Sequence, residues 1–333
     1  MKIAVDYSWL GPTGIGRMAA EVISRAPPEI DILGIREGCQ NARPYTPIGL
    51  ALAIRTSDAD AFWSPGFMPP AATFRTPSAI TIHDLTHLHF YGTKHRFYYN
   101  HVILPLLRKV DLIFTVSDYT KLELQDWSGI PDDRIVRIYN GVDPSFSPDG
   151  PAIDIGRPYI LYAGNRRGYK NVDNLMAAFA RSGLASDGFM LGLTGKRDAA
   201  SEAVERSLDI VGHVHYFGFV ADAMMPDLYR GAHATAFVSH YEGFGLPIVE
   251  SMACGVPVIT SLNSSMPEVA GDAAILVDSH SIDDIADGLA RVCRNISLRA
   301  ALQASGLARA ACFSWDSTGK DYWNELRALK MRR

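Results

Sequence analysis

The chain lacks a charge excess of either sign. Among 333 residues, 32 are Lys or Arg and 36 are Asp or Glu, a net charge of -4. The basic footprint of a general nucleic-acid binder is therefore missing. Cysteine is scarce: Cys39, Cys254, Cys293 and Cys312 are scattered, at spacings that match neither a metal site nor a disulfide framework. They fit a reducing compartment. No apolar run approaches the roughly 20 residues of a membrane-spanning helix. The opening stretch, Met1-Lys2-Ile3-Ala4-Val5-Asp6, has the pattern of a strand and not of a signal-peptide core, so a cytoplasmic protein is expected. Neither GxGxxG nor a Walker loop follows that strand, which disfavours NAD and ATP. No Asp-rich triplet suggests a metal, and none is expected.

What is present is an ordinary globular composition, 47% hydrophobic and 20% charged, long enough for two cores. Short apolar segments recur at Ile3–Tyr7, Asp31–Ile35, Ala61–Ser64, Ala79–His83, Leu112–Ser117 and Ile135–Tyr139. They resume at Tyr159–Ala163, Phe189–Thr194, Val214–Val220, Ala234–Ser239, Val256–Thr260 and Ala274–Val277. Helical patterns separate many of them. Such alternation predicts an α/β fold, two Rossmann-like doubly wound parallel sheets covered by helices, with ligands beyond the carboxyl ends of the strands. The stretch before Pro158 is rich in Pro, Gly and Asp, as a linker would be. The expected domains are 1–150 and 151–312, followed by a helical segment 313–333 with Trp315, Trp323, Leu326 and Leu329 on one apolar face.

The densest chemical signal is Tyr241-Glu242-Gly243-Phe244-Gly245-Leu246-Pro247-Ile248-Val249-Glu250. The glycines allow a tight backbone path. Pro247 suits the first turn of a helix, and Gly255 its end. A strand, a glycine loop and a helix start together present unpaired N–H groups to an anion such as a diphosphate. Glu242 and Glu250 would repel a bare phosphate, yet each carboxylate can accept a pair of hydroxyls. A nucleotide-sugar satisfies the whole loop: sugar hydroxyls at Glu242, ribose hydroxyls at Glu250, phosphates between. Taken singly, either acid would be read as complementing a helix dipole or capping a turn. The second loop, Gly164-Asn165-Arg166-Arg167-Gly168-Tyr169-Lys170-Asn171, gathers cations suited to a diphosphate.

These residues resemble the Glu-seven-residues-Glu motif of retaining GT-B glycosyltransferases of family 4, and the resemblance continues through Gly255-Val256-Pro257-Val258-Ile259, Pro267-Glu268-Val269 and Asp272-Ala273-Ala274. It implies two domains facing a cleft, with the terminal helix crossing back to the first. It also implies transfer of a sugar from a nucleotide-diphospho-sugar to a glycan or lipid-linked saccharide, in polysaccharide biosynthesis and without a metal. GDP-mannose is the first expectation for the donor, with UDP-sugars and dTDP-rhamnose open. On this resemblance His83, Lys170 and Glu242 are the catalytic candidates. Gly14, Arg166, Lys170, Gly243, Phe244, Gly245, Leu246 and Glu250 are the donor-binding ones. Gly14 is carried over although the family's glycine pair reads Thr13-Gly14 here. Lys170 fits its place better than Arg166, because Asn165 stands where the family has an arginine. Gly218-Phe219-Val220 resembles the segment near the nucleotide base, with a core role as the alternative. Lys94 to Lys109 mixes basic and aromatic residues; a solvated helix whose aromatics pack inward is the preferred reading, because Pro105 interrupts a long amphipathic helix, and a weak peripheral membrane contact is the alternative. A sugar-nucleotide-binding subunit without turnover and an NAD-dependent oxidoreductase are the rival readings.

Overall fold

The computed structural model describes residues 1–39 and 42–329; positions 330–333 of the expected terminal segment lie outside them. The chain divides into two compact units, Met1–Gly141 with Ser314–Arg333, and Val142–Phe313. Each holds a six-stranded sheet in which all pairings are parallel.

In the first unit the strands are β1 (Lys2–Asp6), β2 (Asp31–Ile35), β3 (Ala61–Ser64), β4 (Ser78–Ile82), β5 (Leu112–Thr115) and β6 (Ile135–Arg137). They are ordered β2-β1-β3-β4-β5-β6. β3, β4 and β5 are buried along their whole length, which is why they read as unbroken apolar runs: both faces are covered by helices. β2 lies at the edge, and only Ile35 of it is buried. The order reverses between β1 and β3, the switch point at which a parallel sheet opens a crevice beyond its carboxyl ends.

In the second unit the strands are β7 (Tyr159–Tyr162), β8 (Met190–Leu193), β9 (Val214–Tyr216), β10 (Ala234–Phe237), β11 (Val258–Ser261) and β12 (Ala274–Val277). Their order is β12-β11-β10-β7-β8-β9, the dinucleotide-fold order, with its reversal between β7 and β10. β9 is shorter than the expected Val214–Val220, because Gly218 turns back to pair antiparallel with Gly195.

The unit boundary at Gly141 lies earlier than the expected 150. The Pro- and Gly-rich stretch is not a free linker: Arg230 donates to the carbonyls of Ser145, Ser147 and Pro151, and Phe146 packs edge-on against Tyr229. Val142 N–H donates to Phe313 O at 3.2 Å, so the outgoing and returning chains are tied side by side. Gly141 has no room for a side chain, since a Cβ there would meet Trp315 N at 2.2 Å.

The returning helix Trp315–Ala328 is part of the first unit's core. Trp323 is fully buried and its Nε1 donates to Val22 O at 2.8 Å. Tyr322 packs on Phe114 at 4.5 Å and on Trp63 at 5.4 Å between ring centroids. Truncating a buried Trp costs about 3–5 kcal/mol, a large share of the ~5–15 kcal/mol that holds a typical protein folded. Trp323→Ala should therefore lower the urea midpoint of the first unit markedly; a melt like that of the unsubstituted chain would show that this helix is not integral to that core.

Candidate functional site

The switch point of the second unit brings the two sequence-predicted loops together. Lys170 ends the loop after β7, and Glu242 lies in the loop after β10. Lys170 Nζ donates to both Glu242 oxygens, each at 2.7 Å. The two side chains are only 14% and 11% exposed, and Nζ lies 5.3 Å and 5.4 Å from the ring centroids of Tyr169 and Phe237. The sequence assigned these residues separate tasks on a ligand; the structure pairs them. For such a largely buried pair, lost hydration offsets much of the mutual attraction. Little net stability is then lost when ligand groups replace the partners.

Asn171 holds this arrangement, and sequence reasoning did not single it out. It has φ +61°, is 5% exposed, and its Nδ2 donates to Val238 O at 2.9 Å and Ser279 O at 2.7 Å. One side chain thereby ties the Lys170 loop to the segments following β10 and β12. The signal was there: Asn tolerates the left-handed region better than other non-glycine residues. The backbone adds a further tie, His240 N–H to Tyr169 O at 2.8 Å. On the other side, Ser264 Oγ accepts from Glu242 N–H, and Ser265 Oγ donates to the carbonyls of Glu242 and Phe244.

Gly245, at φ +98°, precedes the helix Leu246–Ala253, which no side chain caps and which has Pro247 in its first turn. This is the expected glycine-then-helix geometry, with first-turn N–H groups directed out of the helix end. Gly243 is buried and Leu246 half-buried. Phe244 is buried and packs edge-on against Phe313 at 5.6 Å, so only its backbone is offered to a ligand. Glu250 is 7% exposed, and its Oε2 accepts from the Tyr229 hydroxyl at 3.0 Å. Tyr229, which the sequence did not flag, orients this carboxylate. Arg166 binds Lys196 O, Asp198 Oδ2 at 3.1 Å and Ser201 Oγ at 3.1 Å, while Arg167 is exposed. Phe219 is 90% exposed, so the core alternative does not apply to its ring.

In the first unit, Thr13 caps the helix Gly14–Ser24, its Oγ1 accepting from Gly16 N–H at 3.0 Å. This accounts for a threonine where the resemblance implies glycine. A Cβ at Gly16 would meet Gly11 O at 2.1 Å, whereas Gly14 faces nothing within 4 Å. Gly16 is glycine for packing; the space beside Gly14 is open to a ligand. Asp6, another residue the sequence reading passed over, is fully buried. It accepts from Ser8 at the end of β1 and from Ser64 at the end of β3, bracing the switch point. Burial raises its pKa.

His83 directly follows β4. Its Nε2 lies 2.8 Å from Pro65 O; a carbonyl only accepts, so Nε2 carries the proton. Burial lowers the pKa of this ring, which keeps it neutral near pH 7 and leaves Nδ1 as an acceptor. Such an imidazole suits a hydroxyl better than a phosphate. His87 is turned into a ring stack with Tyr91 and Tyr99. Among the described residues no group of three or more His, Cys, Asp or Glu side chains is arranged to hold a metal ion.

Asn171→Ala should cost on the order of 2–4 kcal/mol, combining left-handed strain with two lost hydrogen bonds. Asn171→Gly, which relieves only the strain, should lie between Ala and the native residue in chemical denaturation. Equal losses in the two variants would show that φ at this position contributes nothing.

Residues 12–146 match the glycosyltransferase family 4 domain, and residues 146–308 match the glycosyl transferases group 1 domain. The chain is 33% identical over 296 residues to the O-antigen chain mannosyltransferase B of Escherichia coli, covering 84% of this chain and 77% of that protein. Its fold is similar to that of sucrose-phosphate synthase from Thermosynechococcus elongatus, with a TM-score of 0.80, 15% identity and coverage of 100% of both chains. It is also similar to Anabaena HepE, solved in complex with UDP and glucose, with a TM-score of 0.78 and 16% identity over 98% of this chain and 100% of that one. The chain belongs to the group 1 glycosyltransferases, family 4, and carries their GT-B fold.

Proposed function

We propose that the chain transfers mannose from GDP-mannose, with retention of anomeric configuration, to a growing or lipid-linked saccharide in the cytoplasm. The observation that carries this reading is the Lys170–Glu242 pair at the reversal of the second sheet, beside the uncapped helix start after Gly245. Mannose is chosen because the 33% identical relative is a mannosyltransferase. HepE, at 16% identity, binds UDP and glucose, so a UDP-sugar is the second choice.

On this reading the donor exchanges the ion pair for ligand contacts. Lys170 turns to the diphosphate, Glu242 accepts sugar hydroxyls, and Glu250, oriented by Tyr229, accepts ribose hydroxyls. Phe219 offers its exposed ring to the base. The bond from the sugar C1 to the diphosphate oxygen breaks, and the acceptor oxygen bonds to C1 on the same face. The acceptor's proton passes to the departing phosphate. The leaving charge is stabilised by Lys170 and the first-turn N–H groups, preorganised donors that need no reorganisation during the reaction. His83, neutral, accepts a hydroxyl of the transferred sugar through Nδ1, and Gly14 leaves room for the substrate beside the first unit.

Glu242→Ala should abolish transfer while sparing nucleoside diphosphate binding, and Glu250→Ala should weaken nucleotide binding more. Losses on the order of 10²–10³ in kcat are typical when a preorganised transition-state contact is removed. Native turnover in both variants would sink the assignment, and a rate lost on adding EDTA would sink its metal-free chemistry.

The proposal includes a weak peripheral contact with an anionic membrane. Lys94, His95 and Arg96 are exposed beside Phe97, whose ring is 64% exposed. The helix does not end at Pro105: a π-turn, Tyr99–Ile103, precedes the segment Leu104–Leu107, with Leu104 N–H donating to Tyr99 O. Among the described residues no helix is long and apolar enough to cross a membrane. Flotation with anionic liposomes should carry part of the protein upward, less so in high salt; a protein pellet unaffected by lipid would remove this contact.

A further inference from the structure

The first unit holds a hollow of about 400 Å³, apart from Gly14 and the Asp6 brace. It lies among the helix Asp118–Ser128, the π-turn Tyr99–Ile103 and the short helix Thr86–His89. We propose that it is a second saccharide site, which binds a sugar unit of the acceptor chain away from the reacting end. The inference rests on the reading that the acceptor is a growing saccharide.

Trp127 forms one wall. Its Nε1 donates to Asn100 Oδ1 at 2.8 Å, and its rings pack against Tyr99 at 6.1 Å between centroids. The indole is thus fixed in orientation while half-buried, a rigid amphipathic platform for the C–H face of a pyranose. The bond to Trp127 uses the Asn100 oxygen, leaving the amide NH₂ as a donor. Arg96 is anchored through Nε to Leu88 O at 3.2 Å, with its remaining N–H groups available as donors. Asp126 is exposed and only accepts when ionised. Glu123 pairs with His89 at the rim.

A platform ringed by an amide, a guanidinium and carboxylates matches a ligand with alternating donor and acceptor hydroxyls and one apolar face. Phosphate or a lipid headgroup fits less well, because Glu123 and Asp126 oppose the attraction of Arg96. The volume is within the ~300–1,000 Å³ of typical ligand clefts. Chain connectivity adds the functional link. Leu85, which lines the hollow, is two residues beyond His83. A saccharide seated here would lie on the segment leading directly from the residue proposed to contact the transferred sugar. The gain is multivalency: a second contact on the same chain raises the effective concentration of its reacting end.

The test is titration of the full chain with mannobiose and mannotetraose, read by tryptophan fluorescence and by saccharide NMR line broadening. The native protein should respond to mannotetraose, Asp126→Ala should bind it several-fold more weakly, and Trp127→Ala should not respond. Because Trp127 also packs on the core, Asp126→Ala, an exposed change, separates ligand loss from misfolding. In transfer assays Asp126→Ala should raise KM for long acceptors and leave KM for a short acceptor and kcat unchanged. An unaltered response in Asp126→Ala, or an equal rise of KM for short and long acceptors, would overturn the site. Stronger liposome flotation in the same variant, with saccharide binding unaltered, would assign the hollow to lipid instead. Thermal shift with nucleotide-sugars reads donor binding, which Asp126→Ala should leave unchanged, so failure of the donor reading would be seen separately.

Discussion

Two opposite charges, Lys170 and Glu242, meet at the one place in the second sheet where neighbouring strands send their connections in opposite directions. Everything around them follows from that constraint. A parallel sheet leaves its carboxyl ends open only at such a reversal, and charges brought there without ligand must be satisfied by each other. Asn171, held in the left-handed region, brings the lysine to this point, and Ser264 and Ser265 fix the glutamate's backbone. On the proposed reading, the pair is less a stabilising bridge than a stored complement to a ligand carrying hydroxyls and phosphates together.

The acids of the motif are placed differently, and the difference gives them different roles. Glu242 faces the ammonium of Lys170, which on the proposed reading is drawn to phosphate. Glu250 accepts from a tyrosine that is itself fully buried, so its orientation is set by the core. On the proposed reading, one carboxylate changes partners as the reaction proceeds and the other keeps a fixed position for a group that does not react. This division agrees with a sugar at one end of the substrate and a ribose at the other.

Much of this was legible in the sequence. All of the β1–β12 strands fall within or close to the apolar runs from which they were expected, because buried parallel strands must be apolar on both faces. The glycine loop and the start of the helix at Leu246 were fixed by Gly245 and Pro247, whose backbone preferences are local. The less legible features depend on side chains distant in sequence. The pairing of Lys170 with Glu242 spans 72 residues, and the Tyr229–Glu250 bond requires two helices to pack. The stretch after Gly141 was mistaken for a linker because turn residues look alike whether they are free or, as here, strapped by Arg230. Thr13 shows the converse: a departure from the family pattern that local capping explains once Gly16 N–H is seen to need an acceptor.

The first unit solves a different electrostatic problem from the second. His83 is held as a neutral tautomer by Pro65 O, and burial raises the Asp6 pKa against the pull of Arg36, whose guanidinium lies 3.6 Å from its carboxylate. On the proposed reading, Lys170 supplies the cation for the substrate's phosphates. A neutral His83 suits the recognition of hydroxyls, which depends on direction and not on charge. On the proposed reading, charge is recognised at the carboxyl end of the second sheet and hydroxyls at that of the first.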